Sequence, residues 1–279
     1  MIHYLCDVSW LLYRGFFACS HIWEEYPELH FLSKKIEGWL SRNDSIVHLC
    51  LDGANPKGRR LLKEEYKAGR DRNGERSVYE GLASFIKLLH NDRIKIYYNN
   101  DYESDEIIFT LSRTLDGRKK ILSGDKDLLQ SLKDDVVVES FKGLITTAES
   151  YKYEYADKLL GVDPSRLPIF RAIAGDASDT LKPPVARFPR KLAAKISGDL
   201  EYDGNCPTVD QLKSISVNYS NSEKKWISKL IDAYKLFSIN FDIMKLNVIT
   251  DDIVNNSYDY PEVEFSDFLR SKVERLNSM

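Results

Sequence analysis

The sequence predicts an α/β fold, a mainly parallel sheet flanked by helices and followed by a helical region, on three observations. Short apolar runs recur at residues 2–6, 46–51, 94–98, 120–122 and 136–138, with the length and β-branched character of buried strands. Helical patterns stand between them, so the strands are parallel neighbours covered on both faces. From about residue 148 the strand pattern stops and only helical periodicity continues.

In chain order, the first strand ends at Asp7 and the second at Asp52. A helix is expected over 78–89, then the third strand. Another helix follows over 105–115, where Ile107, Ile108, Leu111 and Leu115 share one face. The fourth strand runs into Ser123-Gly124-Asp125-Lys126-Asp127. Helices are then expected over 165–174, 189–196, 223–237 and 264–276, with 251–263 as a surface connection. The expected division is an α/β catalytic domain over 1–147 and a helical region over 148–279.

A chain of 279 residues with 43% hydrophobic and 30% charged residues has the composition of a globular protein with a sizeable core. No stretch approaches the roughly 20 apolar residues of a membrane span, and the N-terminus lacks a signal pattern. A cytoplasmic location and no membrane partner are therefore expected. Cys6, Cys19, Cys50 and Cys206 form no C-x-x-C pair, which argues for reduced thiols and against a zinc site. The five histidines show no metal spacing and are expected to be structural or on the surface.

Net charge is −3, yet the charge is unevenly placed. Residues 57–76 carry eight Lys or Arg against four acids, and residues 182–195 carry five basic residues and no acid. Basic patches in an acidic chain mean that the negative charge is concentrated elsewhere.

It is concentrated at strand ends. Asp7 and Asp52 follow the first two strands, Glu103 and Asp105 the third, and Asp125 and Asp127 the fourth. Ligands of open α/β sheets bind outside the carboxyl ends of strands, so these six carboxylates converge on one crevice. Asp125 and Asp127, two apart, point the same way in extended chain. Glu103 and Asp105 sit where a helix N-terminus favours negative charge. Asp176 and Asp179, three apart, share a face further on. One Asp after a strand is ordinarily a turn former or helix cap; four strand ends in succession are hard to explain that way. So many like charges need a cation, and hard oxygen ligands suit Mg²⁺, with Mn²⁺ as substitute, rather than zinc. Two such ions can clamp the attacking and leaving oxygens of a phosphoryl displacement. Haloacid-dehalogenase-like phosphatases also place an Asp after the first strand, but they need a second Asp where this chain has Ser9.

With these residues in place, the sequence resembles the 5′-nuclease superfamily, the flap endonucleases and the bacterial and phage 5′→3′ exonucleases. Asp7-Val-Ser-Trp-Leu-Leu-Tyr-Arg resembles the family's opening Asp-Gly-Ser-x-Leu-Leu-Tyr-Arg. Asp52, Arg59-Arg60 and Glu65-Tyr66-Lys67-Ala-Gly-Arg70 are similar to its strand-end Asp and Tyr-Lys-x-x-Arg. Tyr102-Glu103-Ser-Asp105-Glu106, Ser123-Gly-Asp125-Lys-Asp127 and Gly175-Asp176-Ala-Ser-Asp179 continue the series in order, over residues 1–196.

The resemblance implies a PIN-like fold with a helical arch at about 66–92 and a helix-turn-helix-like duplex-binding element at about 165–198. It implies two Mg²⁺ ions, one among Asp7, Asp52, Glu103 and Asp105, the other among Asp125, Asp127, Asp176 and Asp179. Glu106 stands where the family has Asp, and either reaches metal through water or faces solvent. Lys67 and Arg70, by themselves a solvated helical face, become stabilisers of charge on the scissile phosphate. Tyr66 either stacks on a terminal base or packs into the arch base. Lys182, Arg187, Arg190, Lys191 and Lys195 become phosphate contacts, in a loop that lacks the family's glycines and carries Pro183, Pro184 and Pro189. No potassium site is therefore expected. The implied activity is structure-specific 5′→3′ exonuclease and flap endonuclease cleavage of DNA with 5′ ends, flaps or nicks, RNA–DNA hybrid being a further candidate substrate. The implied roles are replication, repair or primer removal. The implied state is a monomer, with a separate polymerase or single-strand-binding protein as candidate partner. Two alternatives stand beside it, a PIN-type ribonuclease and a non-catalytic DNA-structure-binding homologue.

Overall fold

The structure is a computed structural model that describes residues 1–22, 25–53, 78–140, 143–177, 179–250 and 263–279. Six strands form one sheet among them: β1 (Ile2–Asp7), β2 (Ser45–Cys50), β3 (Ile94–Tyr97), β4 (Arg118–Leu122), β5 (Val136–Glu139) and β6 (Ile145–Thr146). Their order is β3-β2-β1-β4-β5-β6. All pairings are parallel except β5 with β6, so the expected mainly parallel α/β sheet is what forms. The two-residue antiparallel β6 was not expected; a strand of that length leaves no period to read.

β1 lies at the centre, with β2 on one side and β4 on the other. The chain therefore reverses its direction of travel across the sheet at β1, and a crevice opens there at the carboxyl ends. Two helices fill the β1–β2 connection: α1 (Val8–Cys19) and α2 (Pro27–Leu40). Next come α3 (Leu82–Leu88), which starts only after Gly81 in a left-handed conformation, and α4 (Ser104–Thr114). The short helices α5 (Tyr151–Glu154) and α6 (Ala156–Leu159) lead to α7 (Leu167–Ala174) and α8 (Arg190–Asp199). The expected helix over 223–237 is two helices, α10 (Asn221–Asp232) and α11 (Tyr234–Met244), preceded by α9 (Val209–Ser216). They break at Ala233, a good helix former, so nothing in the local sequence marks the break. Last comes α12 (Asp267–Asn277).

Alternation along the strands sends side chains to two cores. Leu5, Cys50, Ile121 and Val138 meet Ile107 and Leu111 of α4 and then Phe170, Ile196, Leu230 and Phe237 from the later helices. Tyr4, Cys6, Val47 and Leu49 meet Leu11 and Leu12 of α1, Leu29 and Ile36 of α2, and Leu269, Val273 and Leu276 of α12. The cores thus do not follow a division at 147/148, because α12 returns to the first-half face. Asn277 Nδ2 donates to Leu88 O at 2.7 Å, and Asn91 Nδ2 donates to Leu276 O at 2.6 Å. Cys6 and Cys50 are buried, as their apolar runs imply. His3 and His48 are buried too, their rings 2.9 Å apart at Nδ1 and Nε2, with Tyr97 Oη 3.1 Å beyond. They are structural groups, and burial holds His48 far below its usual range, to about 3.

Glu28 in the first turn of α2 is fully buried. Burial, with Glu80 adding repulsion, pushes its carboxyl up to about 7. A carboxyl raised in the fold contributes stability that is fully present below its unfolded value and lost as pH rises through about 7. Metal-free protein is therefore expected to melt several degrees lower at about pH 8 than at about pH 5. Glu28→Gln, which stays neutral, is expected to flatten that slope in thermal melts. An unchanged slope would exclude Glu28 as its source.

Candidate active site

The site is built from side chains that hold the backbone as well as each other. Asp7 ends β1 and caps α1: the Trp10 N–H donates to Asp7 Oδ1 at 3.1 Å, and Ser123 Oγ donates to Asp7 Oδ2 at 2.7 Å. From the next strand, Asp52 Oδ1 accepts the Ser104 N–H at 2.8 Å, and Oδ2 accepts the Ser9 hydroxyl. Gly53 follows because a Cβ there would lie 2.4 Å from Asn99 O and 2.5 Å from Asn100 O. These contacts tie the ends of β1, β2 and β4 to the N-termini of α1 and α4.

At α4, Glu103 is the N-cap, and the Glu106 carboxylate accepts the Glu103 N–H at 3.1 Å. Glu106 therefore closes a capping box, a third role besides the two that its position in the motif suggested. After β4, the Asp125 N–H donates to Ser123 Oγ at 3.0 Å and the Asp127 N–H to Asp125 Oδ1 at 2.8 Å. That tight turn presents Asp125 to solvent and buries Asp127.

One carboxylate oxygen from each of Asp105, Asp125 and Asp127 lies within 4.8 Å of the other two. This grouping cuts across the two sets of four that the resemblance implied, since Asp105 joins the two acids of the fourth strand end. Asp7 lies close enough to feel Asp52 and Asp125: burial first, and then Asp52, carries its carboxyl up to about 7. Such a group of mutually repelling oxygens, buried at Asp105 and Asp127 and open to solvent at Asp125, has the donor chemistry of a hard divalent cation.

Asp176 enters from the other side. Gly175 ends α7 at φ +75, where a Cβ would meet Leu181 O at 2.7 Å. Asp176 and Leu181 then exchange two backbone hydrogen bonds, 2.8 and 2.7 Å. Asp179 is buried beside that bridge in sequence. Between Asp176 and the strand-end acids stands Arg171 of α7, whose Nη1 pairs with Asp127 and lies 3.2 Å from Asp176 Oδ2. Sequence reasoning missed Arg171, Ser9 and Ser123. The signal for Arg171 was a lone charge inside the otherwise apolar Leu-Pro-Ile-Phe-Arg-Ala-Ile-Ala, five residues before Asp176.

The basic residues of 182–195 lie along one exposed stretch leading into α8. Lys182, Arg187, Arg190, Lys191 and Lys195 are all exposed. Phe188 between them is buried and packs edge-on against Trp226. Arg187 takes φ +58, so the left-handed conformation that glycine supplies elsewhere is adopted here by a side-chain-bearing residue. Arg190 Nη2 donates to Lys158 O at 3.1 Å, and Lys195 pairs with Glu223 at 3.2 Å over the Tyr219 ring. Asp163, Arg166, Lys191 and Lys195 line an open groove of about 810 Å³ beside α8. Tyr66, Lys67 and Arg70, with residues 66–77 of the expected arch, lie outside the described residues.

Comparisons with known proteins place this arrangement. The chain is 30% identical over 203 residues to DNA polymerase I of Bacillus subtilis, an alignment that takes in 69% of the chain and 22% of the polymerase. It therefore spans less than a quarter of that relative's length. Among solved structures, the T5 D15 protein co-crystallised with metal ions superposes with a TM-score of 0.66 at 16% identity, covering 100% of this chain and 99% of that one. The bacteriophage T5 D15 flap endonuclease complexed with DNA and metal ions gives 0.65 at 15% identity, covering 100% of both. At that identity the likeness is one of fold. Residues 3–159, more than half of the chain, match the family model of the 5′-3′ exonuclease N-terminal, resolvase-like domain, and the chain belongs to that family.

Proposed function

We propose that this chain is a divalent-metal-dependent 5′-nuclease that hydrolyses DNA phosphodiester bonds at or near 5′ ends, flaps or nicks. The observation that carries the proposal is the convergence of Asp105, Asp125 and Asp127 within 4.8 Å, with Asp7 and Asp52 beside them at the strand ends. Bound Mg²⁺ or Mn²⁺ would supply a polarised phosphoryl oxygen and an acidified water. Asp105, Asp125 and Asp127 would hold one ion, and Asp176 and Asp179 would add to a second. Asp7 and Asp52, fixed by Ser123, Trp10, Ser9 and Ser104, shape the negative wall that the ions neutralise. Lys67 and Arg70 would steady the scissile phosphate, and Tyr66 would stack on a terminal base or pack into the arch base. The metal-bound T5 D15 protein and its complex with DNA share this fold, which supports the reading, as does the polymerase I relative for a role in replication, repair or primer removal.

The deciding assay incubates the protein with labelled flap, nicked duplex, single-stranded DNA and RNA–DNA hybrid, in Mg²⁺, Mn²⁺ or EDTA. Cleavage of flap or nicked DNA in either metal and not in EDTA is the expected outcome. No cleavage of any DNA in either metal would overturn the proposal. Cleavage of RNA alone would replace it with a PIN-type ribonuclease.

Duplex grip is assigned to Lys182, Arg187, Arg190, Lys191 and Lys195. Pro183, Pro184 and Pro189 fix φ near −65°, Phe188 is committed to the core, and Arg187 brings bulk to the left-handed position. Direct charge rather than a bound potassium ion is expected to hold the phosphates. Flap affinity should fall steeply with salt yet be equal in KCl and NaCl at one ionic strength. A several-fold preference for KCl would show that the loop keeps such an ion.

A further inference from the structure

Arg171 is a buried cation placed inside a cluster of acids. Its side chain is 6% exposed, and its guanidinium pairs with Asp127, itself 2% exposed, while lying 3.2 Å from Asp176 Oδ2. A guanidinium loses much of its hydration at that depth, and the loss is offset only where carboxylates replace the water. Its backbone is fixed as firmly: Arg171 O accepts the Gly175 N–H at 2.8 Å at the end of α7. Asp127 and Asp176 both meet its Nη1 and come from separate segments, one from the turn after β4, the other from the bridge with Leu181. The guanidinium therefore joins two segments that like charge would otherwise drive apart.

The same contacts cost the cluster something. A carboxylate oxygen that accepts from Arg171 is not open to a cation, and a fixed positive charge beside Asp127 and Asp176 repels an incoming one. Asp127 is also grouped with Asp105 and Asp125. The geometry points to Arg171 as a built-in counter-cation: it holds Asp127 and Asp176 together before any metal binds, and it weakens the hold of both acids on an incoming ion. Arg171 is thus a positioning residue acting through those two acids, an inference that rests on the metal-dependent reading above.

Arg171→Met separates charge from packing. In EDTA the variant is expected to melt about 6–15 °C below the unsubstituted protein, because buried Asp127 and half-buried Asp176 lose a cationic partner. Saturating Mn²⁺ should close at least half of that gap, since the ion takes over the lost charge. Calorimetric titration should show Mn²⁺ binding tightened about tenfold or more. Arg171→Lys, which keeps the charge, should stay within about threefold of the original Mn²⁺ affinity. A melting gap equal in EDTA and Mn²⁺, with unaltered Mn²⁺ affinity, would mean that Arg171 acts by packing alone and would overturn the inference. Should Arg171→Met not fold in EDTA, Arg171→Met combined with Asp176→Asn restores the net charge and is expected to fold; its failure would overturn the inference as well. If the unsubstituted protein binds no Mn²⁺, the metal-dependent reading falls and takes this one with it. If it binds Mn²⁺ and Arg171→Met matches it throughout, only the counter-cation role is lost.

Discussion

Asp125→Asn is expected to lower cleavage in Mg²⁺ by more than about 10³-fold, while DNA binding stays the same or tightens. The reasoning starts from the turn that Asp125 builds. Its Oδ1 accepts the Asp127 N–H at 2.8 Å, and its own N–H is held by Ser123 Oγ at 3.0 Å. Asparagine keeps an Oδ1 acceptor, so the turn and the burial of Asp127 survive. What disappears is one negative charge from the group of three oxygen donors that includes Asp105 and Asp127. Losing it weakens the hold on a divalent ion and relieves repulsion toward the phosphate backbone, which moves rate and affinity in opposite directions. A single-turnover rate within tenfold of the unsubstituted protein would refute the metal-binding role of Asp125.

Lys67→Ala is expected to lower the single-turnover rate by roughly 10²–10³-fold, the scale of one preorganised contact with developing charge. Lys67 stands with Arg70 in Tyr66-Lys67-Ala-Gly-Arg70, in the stretch of net positive charge between β2 and α3. A residue that meets the phosphate only as charge builds on it lowers the barrier without adding much ground-state affinity. Rate should therefore fall far more than binding. An equal fall in both, measured by single-turnover kinetics and flap titration, would make Lys67 a binding contact instead.

Much of the architecture was legible because its signals are local. An apolar run ending in an acid marks β1, β2 and β4 and puts Asp7, Asp52 and Asp125 at the crevice. The one-sided pattern of Ile107, Ile108 and Leu111 marks α4. Other parts lacked a local signal. Val8–Cys19 is apolar nearly all round, which blurs the helical period of α1. The start of α3 waits for the left-handed Gly81, and the break at Ala233 depends on how α10 and α11 pack. At the site, the residue types were readable but not their partners. Asp7 and Glu103 cap helices, the ordinary role of an acid after a strand, and Asp7 also lies close to Asp52 and Asp125. Arg171 could be noticed as an odd charge, but only folding brings Asp127, 44 positions away, against it.

The return of α12 to the first-half core has a consequence for how the molecule is made. His90 and Asn277, 187 positions apart, share a hydrogen bond of 2.7 Å, and Leu269, Val273 and Leu276 complete a core begun by β1, α1 and α2. A growing chain emerges with β1, α1 and α2 early and that helix late, so the surfaces of α2 and α3 on which α12 packs stay uncovered in between. Contacts of such long reach are slow to form, because loop-closure entropy comes before the burial that offsets it. Until α12 docks, Leu29, Ile36 and Leu82 are surfaces on which a second nascent chain can settle.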